Sequence, residues 1–305
     1  MEAEAPYHSP MTASTEKEYI LGTHDEEARR LGFQHRLWSD LAHATWKRAG
    51  VLPGHKVLDA GCGPGFALMD LAQIVTIAPA TSPGGVAVGV DESARYIERA
   101  NAAAEVRGLS RESVAIVGDV QRLRETLGAQ KAVLEPLGCS GDGVFDLVFM
   151  RWVLCFVPRP QDVINDAAKL LKQGGRFAVN DYFNYESMAL APRCDAFERV
   201  VGAVGKSWRS RGGDPDIMGR VPAMCRAAGL RVTHLDCEQR VARSGDSMWA
   251  WPDTFFRIFV PTLVEHGFLA QKDADAFTSD WAKWAADPDA FCHLPTVYHL
   301  VAEKA

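Results

Sequence analysis

The chain has 305 residues, 47% of them hydrophobic, and a formal net charge of −6. The length suits one large domain with additions or one and a half small ones, and the apolar content excludes an intrinsically disordered chain. The acidic balance offers no general attraction to nucleic-acid phosphates, and no apolar run reaches the roughly 18 residues that span a membrane.

Residues 1–18 are polar and acidic, lack an apolar signal core, and read as a frayed end. Thr23 and Glu26 have capping-box spacing, so a helix is expected from about His24 to Arg48. Leu31, Trp38, Leu41 and Thr45 share one face of it, and Gln34 sits on that same face. A polar residue inside an apolar stripe either satisfies a backbone group or meets a ligand. After the break at Gly50–Gly54, Lys56–Ala60 reads as a strand running into Gly61-Cys62-Gly63-Pro64-Gly65. A helix over Phe66–Ile77, a loop over 79–85 and a buried strand over Val86–Val90 follow, the strand ending in Asp91-Glu92. Ser93 is placed to cap a helix carrying Ile97, Ala100 and Ala104 and closed by Gly108. Val114–Val117 forms the third strand, with Gly118-Asp119 at its tip. Segment 121–143 is irregular and is expected to hold a short helix and a surface insertion.

Val144–Met150 reads as the fourth strand, Val163–Lys172 as a helix, Gly174-Gly175 as a turn and Arg176–Asn180 as the fifth strand. Strands alternating with helices predict right-handed crossovers and a mostly parallel sheet. Beyond Asp181 aromatics become dense. Helices are expected from Glu186 to about Gly229, a strand over Leu230–Cys237, helices over 245–290 and a final strand over Thr296–Glu303.

Glycines where a strand gives way to a helix let backbone approach a ligand, and the helix start presents free N–H groups to an anion. Alone, such a turn is shared by many nucleotide-binding folds. Here acidic residues recur at successive strand ends. Asp91 can take both ribose hydroxyls, and Asp119 can accept from an adenine amino group. Three aligned sites at the tips of the first three strands favour a nucleoside ligand.

The stretch Val57-Leu58-Asp59-Ala60-Gly61-Cys62-Gly63-Pro64-Gly65 resembles motif I of class I S-adenosylmethionine-dependent methyltransferases. Gly89-Val90-Asp91, Gly118-Asp119-Val120, Phe145-Asp146-Leu147-Val148 and Leu170–Arg176 resemble the later motifs in order, over about residues 50–182. Tyr19-Ile20-Leu21-Gly22-Thr23 with Glu27, Leu31, Gln34, His35 and Trp38 is similar to the lid helix of the small-molecule branch. The resemblance implies an α/β fold: a Rossmann-like, seven-stranded methyltransferase sheet, mostly parallel with the last strand antiparallel. It divides the chain into a flexible end (1–18), a helical lid (19–50), a cofactor-binding core (51–182) and a helical, aromatic substrate region carrying the last two strands (183–305). It implies S-adenosylmethionine as cofactor and S-adenosylhomocysteine as product. Asp59, Gly61 and Gly63 would hold the methionine part, Asp91 and Glu92 the ribose, and Asp119 and Val120 the adenine. Met150 and Arg151 would lie beside the methionine end, while Tyr19, Gln34 and Trp38 close over the cofactor. The Asp59-to-Asp91 spacing exceeds the family's usual one, which the 79–85 loop accounts for.

The implied reaction is in-line methyl transfer to an oxygen or nitrogen of a small metabolite, for which an acceptor hydroxyl may need a base. Asp181, Tyr182 and His293 are the candidates, each equally readable as structural; Arg151 also reads as one half of a surface ion pair. Met150-Arg151-Trp152-Val153 lacks the Pro-Pro-aromatic signature of nucleic-acid amino-methyltransferases, and no acid ends strand four as metal-dependent catechol-type enzymes require. Three rivals stay open: an NAD-dependent dehydrogenase, a non-enzymatic S-adenosylmethionine binder or activator subunit, and an enzyme that keeps the cofactor but transfers no methyl, such as one catalysing a cofactor-assisted rearrangement. The seven cysteines show no C-x-x-C spacing, so reduced, mostly buried thiols and no metal are expected, in a cytoplasmic protein whose oligomeric state the sequence leaves open.

Overall fold

The computed structural model describes residues 25–77 and 84–305. Tyr19, the Thr23 cap and most of the 79–85 loop lie outside the described residues. In chain order the elements are α1 (Asp25–Arg48), β1 (Lys56–Ala60), α2 (Phe66–Thr76), β2 (Val86–Asp91), α3 (Ala94–Val106), β3 (Ser113–Val117), α4 (Leu123–Ala129), α5 (Lys131–Leu134), β4 (Phe145–Arg151) and α6 (Pro160–Leu170). They continue with β5 (Leu171–Tyr182), β6 (Ala189–Ala191), α7 (Asp195–Ser210), α8 (Val221–Ala227), β7 (Leu230–Glu238), β8 (Val241–Arg243), α9 (Ala250–Glu265), α10 (Gln271–Ala285), β9 (Phe291–His293) and β10 (Val297–Lys304).

Seven strands form one sheet in the order β3-β2-β1-β4-β5-β10-β7. The first five pair in parallel, and β10 runs antiparallel to both β5 and β7, as the sequence predicts. The strand order reverses between β1 and β4, so their carboxyl ends flank the crevice where open α/β sheets bind ligands. Side chains seal both faces: Phe145, Phe149 and Phe177 are fully buried, each at a site where truncation to alanine typically costs about 3–5 kcal/mol.

Helix α1 lies along one face rather than only over the strand tips. Near its end Trp46 meets Phe149 of β4 edge-on at 5.3 Å, and Asn180 of β5 donates through Nδ2 to Thr45 Oγ1 at 3.0 Å. Its acidic start reaches α3, where Asp25 pairs with Arg95 and Arg99 at 2.7 Å each.

Three differences from the expected elements have local causes. Pro160 occupies the first turn of α6, where a missing N–H costs nothing, so that helix starts and stops earlier than the hydrophobic pattern suggests. Segment 121–143 is not a surface insertion: Leu123, Leu127, Leu134 and Cys139 are buried in the main core. The region after Tyr182 is not purely helical, because β6, β9 and β8 form a separate antiparallel sheet. Each is three residues long, too short to show alternation. The seven cysteines are all free, six of them buried. Among the described residues no helix is long and apolar enough to cross a membrane.

Candidate active site

β1 hands over to α2 through a turn that only glycine tolerates at its first step. Gly61 has φ of +80°, and a Cβ there would lie 2.3 Å from Val153 Cγ2. The Gly61 and Cys62 N–H groups both donate to the Val90 carbonyl, at 2.7 and 3.0 Å, tying the turn to the tip of β2. Asp91 completes the lock: Oδ2 accepts from Gly63 N at 2.9 Å and Oδ1 from Ser93 N at 3.0 Å. Each oxygen keeps a second lone pair, so the carboxylate can still take two ribose hydroxyls. Burial pushes the Asp91 carboxyl up, and the two backbone donors oppose it. Glu92 is exposed beside it. The start of α2 has no side-chain cap, which leaves its first N–H groups for an anion.

Two buried charges flank this turn with unused atoms. Asp59, 2% exposed, has no partner for Oδ2, and Arg151 at the end of β4 has none for Nη1. Burial raises the Asp59 carboxyl to about 7; the nearby Arg151 charge opposes this and Asp91 adds to it. Arg151 donates through Nη2 to His35 Nδ1 at 2.9 Å, and His35 Nε2 meets Asp70 Oδ2 at 3.1 Å. Because guanidinium only donates, His35 presents a lone pair at Nδ1 and its proton at Nε2. Asp70, shared with His43 at 3.0 Å, thereby orients Arg151 through the imidazole. An orphan carboxylate oxygen beside an orphan guanidinium nitrogen suits the ammonium and carboxylate of an amino-acid tail.

The remaining expected cofactor residues divide. Asp119 caps the turn after β3, its Oδ1 accepting from Gln121 N at 2.8 Å while Oδ2 faces Arg122 Nε at 3.9 Å. Val120 follows in that turn, half-buried against the core. Met150 is a correction: its side chain is fully buried in the core, so it offers a ligand no surface. Gln34 takes two donors on Oε1, Arg30 Nη1 at 2.8 Å and Trp251 Nε1 at 2.9 Å. Its polar place in an apolar stripe therefore ties α1 to α9. Arg30 is itself held by Glu27 through two 2.7 Å bonds in the same buried patch. Trp38 is buried against Trp251 at 5.0 Å and Trp152 at 6.0 Å, with Arg240 over its ring at 4.2 Å.

The aromatic region assembles above β4 and β5. Tyr182, Trp152 and Trp251 form a staircase, with centroids 6.1 and 6.2 Å apart and rings within 22° and 30° of parallel. Trp152 has φ of +54°, a strained conformation for a bulky residue, and its Nε1 is buried without an acceptor. It packs against the main hydrophobic core. Of the candidate bases, Asp181 is committed: Oδ2 accepts from Cys155 N at 3.2 Å and Oδ1 from Tyr182 N at 2.9 Å. Burial raises its carboxyl to about 6. Burial also pushes the Tyr182 phenol well above its ordinary range, so the group stays a donor. His293 stands in β9, which leads into β10 at the end where Val297 pairs with Tyr182. Sequence reasoning missed Asp70, Arg30 and the role of Trp251. The spacing of Glu27, Arg30 and Gln34 on one helical face was the available signal for a buried polar patch.

A doubly wound sheet with an antiparallel final strand, a glycine turn after β1 and acids at the next two strand tips defines an adenosyl-cofactor-binding α/β protein. Residues 52–207 match the family described as Methyltransferase domain, and the chain belongs to that family. Its cofactor is S-adenosylmethionine, and the orphan atoms of Asp59 and Arg151 match the charges of that cofactor's amino-acid tail. The dehydrogenase alternative falls with this assignment. A demethylmenaquinone methyltransferase of Symbiobacterium thermophilum is 26% identical over 179 residues, 57% of this chain and 62% of that one. The chain spans between 28% and 70% of the length of the curated relatives it matches, and 62% or less of the first three. Among solved structures, a candidate methyltransferase of Bacillus halodurans C-125 superposes with a TM-score of 0.56 at 19% identity, covering 87% of this chain and 99% of that one. The [4+2]-cyclase SpnF superposes at 0.51 and 19% identity over 87% and 80%. These likenesses show the shared fold.

Proposed function

We propose that this chain transfers the methyl group of S-adenosylmethionine to an oxygen or nitrogen of a small, planar metabolite. When bound, the cofactor supplies a sulfonium-activated methyl for in-line displacement by the acceptor, leaving S-adenosylhomocysteine. The observation that carries the proposal is the pair of buried, unpartnered atoms, Asp59 Oδ2 and Arg151 Nη1, near the Gly61–Gly65 turn. Asp59 receives the ammonium and Arg151 the carboxylate, while Asp91 and Asp119 take the ribose and adenine. Gln34 and Trp251 hold α1 across the strand tips and exclude water. The staircase of Tyr182, Trp152 and Trp251 supports a flat acceptor by ring stacking, and the free Trp152 Nε1 offers it a hydrogen bond. Positioning then lowers much of the barrier. Asp181 orients Tyr182 and the Cys155 loop through one accepted hydrogen bond on each oxygen, and each oxygen keeps a second lone pair.

Calorimetric titration with S-adenosylhomocysteine tests the cradle: saturable one-to-one binding is expected, abolished when Asp59 and Arg151 are both replaced by alanine. Release of S-adenosylhomocysteine from S-adenosylmethionine, with planar phenols and amines as acceptors, tests the transfer. No saturable heat would remove the cofactor reading. Binding without release for any acceptor would leave a protein that holds the cofactor and does not use its methyl.

A further inference from the structure

The outer edge of the sheet carries a group of side chains that methyl transfer does not use. Register places Asp236 of β7 directly opposite His299 of β10, and His234 opposite Val301 two positions along. Strand alternation puts all three on the face where Asn180 and Thr45 join β5 to α1. His234 Nε2 and His299 Nδ1 stand 3.2 Å apart, and one atom of each of the three residues lies within 4.8 Å of the others. Two nitrogens bound to one tetrahedral zinc ion would lie about 3.3 Å apart, given zinc–nitrogen bonds of about 2.0–2.1 Å.

We propose that His234, Asp236 and His299 bind a divalent transition-metal ion of borderline softness, zinc foremost, with water in the remaining position. Two imidazoles and a carboxylate are the donor set that such ions select. The ordinary alternative is a bare hydrogen bond between two neutral rings. Three features favour the ion. First, Asp236 Oδ1 accepts from Cys237 N at 2.9 Å, which fixes the carboxylate and leaves its other oxygen for the ion. Second, the 3.2 Å separation of His234 Nε2 and His299 Nδ1 already matches that of two ligands on one zinc ion. Arg48 is the opposing cation here; its side chain is exposed, at the end of α1, and can turn into solvent. Third, ligation through His299 Nδ1 requires its proton on Nε2. Across the β5–β10 ladder stands Asn180, 1% exposed, whose Oδ1 is buried with no donor. Opposed residues on a ladder have Cβ atoms about 4.5–5.5 Å apart, within reach of such a second-layer bond.

Binding needs no net proton release. His234 moves its proton to Nδ1, His299 keeps its own on Nε2, and both lone pairs turn to the metal. The ion would pin edge strand β7 to β10 near the end of α1, on the sheet edge beyond β5. Its role would be to stabilise that edge, independently of the cofactor.

The test is titration of the chelator-treated full chain with cobalt(II), read by visible absorption, followed by displacement with zinc(II). One ion per chain is expected, with zinc raising Tm by several degrees. His234→Gln should abolish binding, and Asp236→Asn should weaken it at least tenfold. Both positions are partly or fully exposed, so folding, checked by circular dichroism, should survive. Cys237→Ser should change nothing. Absence of a saturable cobalt spectrum would overturn the proposal. So would binding that survives the His234→Gln/Asp236→Asn double variant, or binding lost with Cys237→Ser. Unchanged affinity for S-adenosylhomocysteine in the metal-binding variants is expected, and keeps this outcome separate from that of the transfer reaction.

Discussion

The tips of β1 to β3 and the aromatic layer above β4 and β5 face the same crevice but are held in different ways. At the first three tips, backbone does the holding. Gly61, Cys62 and Gly63 give their N–H groups to Val90 and Asp91, and every partner lies within about one strand–turn unit of the motif. In the aromatic layer, side chains distant in sequence hold one another: Gln34 meets Trp251 across 217 positions, and Arg151 meets His35 across 116. The first arrangement fixes a cofactor common to many chemistries. The second, which sequence-local rules do not constrain, is the layer that the proposed acceptor would meet.

If the tips are backbone-held, the largest penalty should come from disturbing the turn itself. Gly61→Ala places a Cβ 2.3 Å from Val153 Cγ2 at φ of +80°. Strain and clash together should remove about 3 kcal/mol of stability, measured by urea unfolding. Gly63→Ala is the paired control: φ is +53° and no atom lies within 4 Å of the added Cβ. It should cost only about 1–2 kcal/mol of stability yet impair S-adenosylhomocysteine binding, since the methyl would occupy the ligand's side of the turn. Next comes Asp91→Ala, which removes the acceptor of two N–H groups and the ribose contact together. Calorimetry should show affinity falling about 100-fold, equivalent to about 2.7 kcal/mol. A variant of unchanged affinity would break the assignment of this tip to the ribose.

The contrast between the two regions also explains what was legible beforehand. The strands, their order and the Gly61, Asp91 and Asp119 sites follow from short motifs whose physics is local, so the residues themselves announce them. The seventh strand was readable because its apolar run is long. Met150 misled because adjacency to Arg151 in sequence says nothing about direction: successive strand residues point to opposite faces, and Met150 turns into the core. Nothing local in the sequence marks the positive φ of Trp152, whose backbone N–H donates to the Asn180 carbonyl of β5 at 2.9 Å. The His234, Asp236 and His299 group has no sequence signature, because 65 residues separate its two histidines and only the β7–β10 register joins them.

On the aromatic side, Gln34→Ala leaves the Arg30 and Trp251 donors without their shared acceptor in a buried patch. A loss of about 1.5–2 kcal/mol is expected, since each unsatisfied buried donor costs about 1–3 kcal/mol before relaxation. The loss should fall on the contact between α1 and α9: amide exchange in the first turns of α1 should quicken, while exchange in β1 and β2 stays unchanged. Uniform quickening across the sheet would show that the two regions are one cooperative unit and dissolve the distinction.

The smallest effect sharpens the boundary between the regions, because Asp59 and Arg151 stand on it. With its carboxyl raised to about 7, Asp59 in the folded, ligand-free chain keeps a proton that the unfolded chain gives up near pH 4. This group's contribution to stability is therefore complete below about pH 4 and is lost as pH rises through about 7. Cofactor binding runs the opposite way, because an ammonium prefers the ionised carboxylate. Affinity for S-adenosylhomocysteine should tighten by up to about tenfold between pH 6 and 7.5 as the Asp59 carboxyl ionises. Asp59→Asn should flatten both profiles: stability no longer declines across this window, and affinity becomes weak and nearly independent of pH below 7.5. A wild-type affinity that stays level from pH 6 to 7.5 would mean that Asp59 is already ionised before the ligand arrives. Arg151 would then compensate it within the protein, and the ammonium would have to be held by other groups.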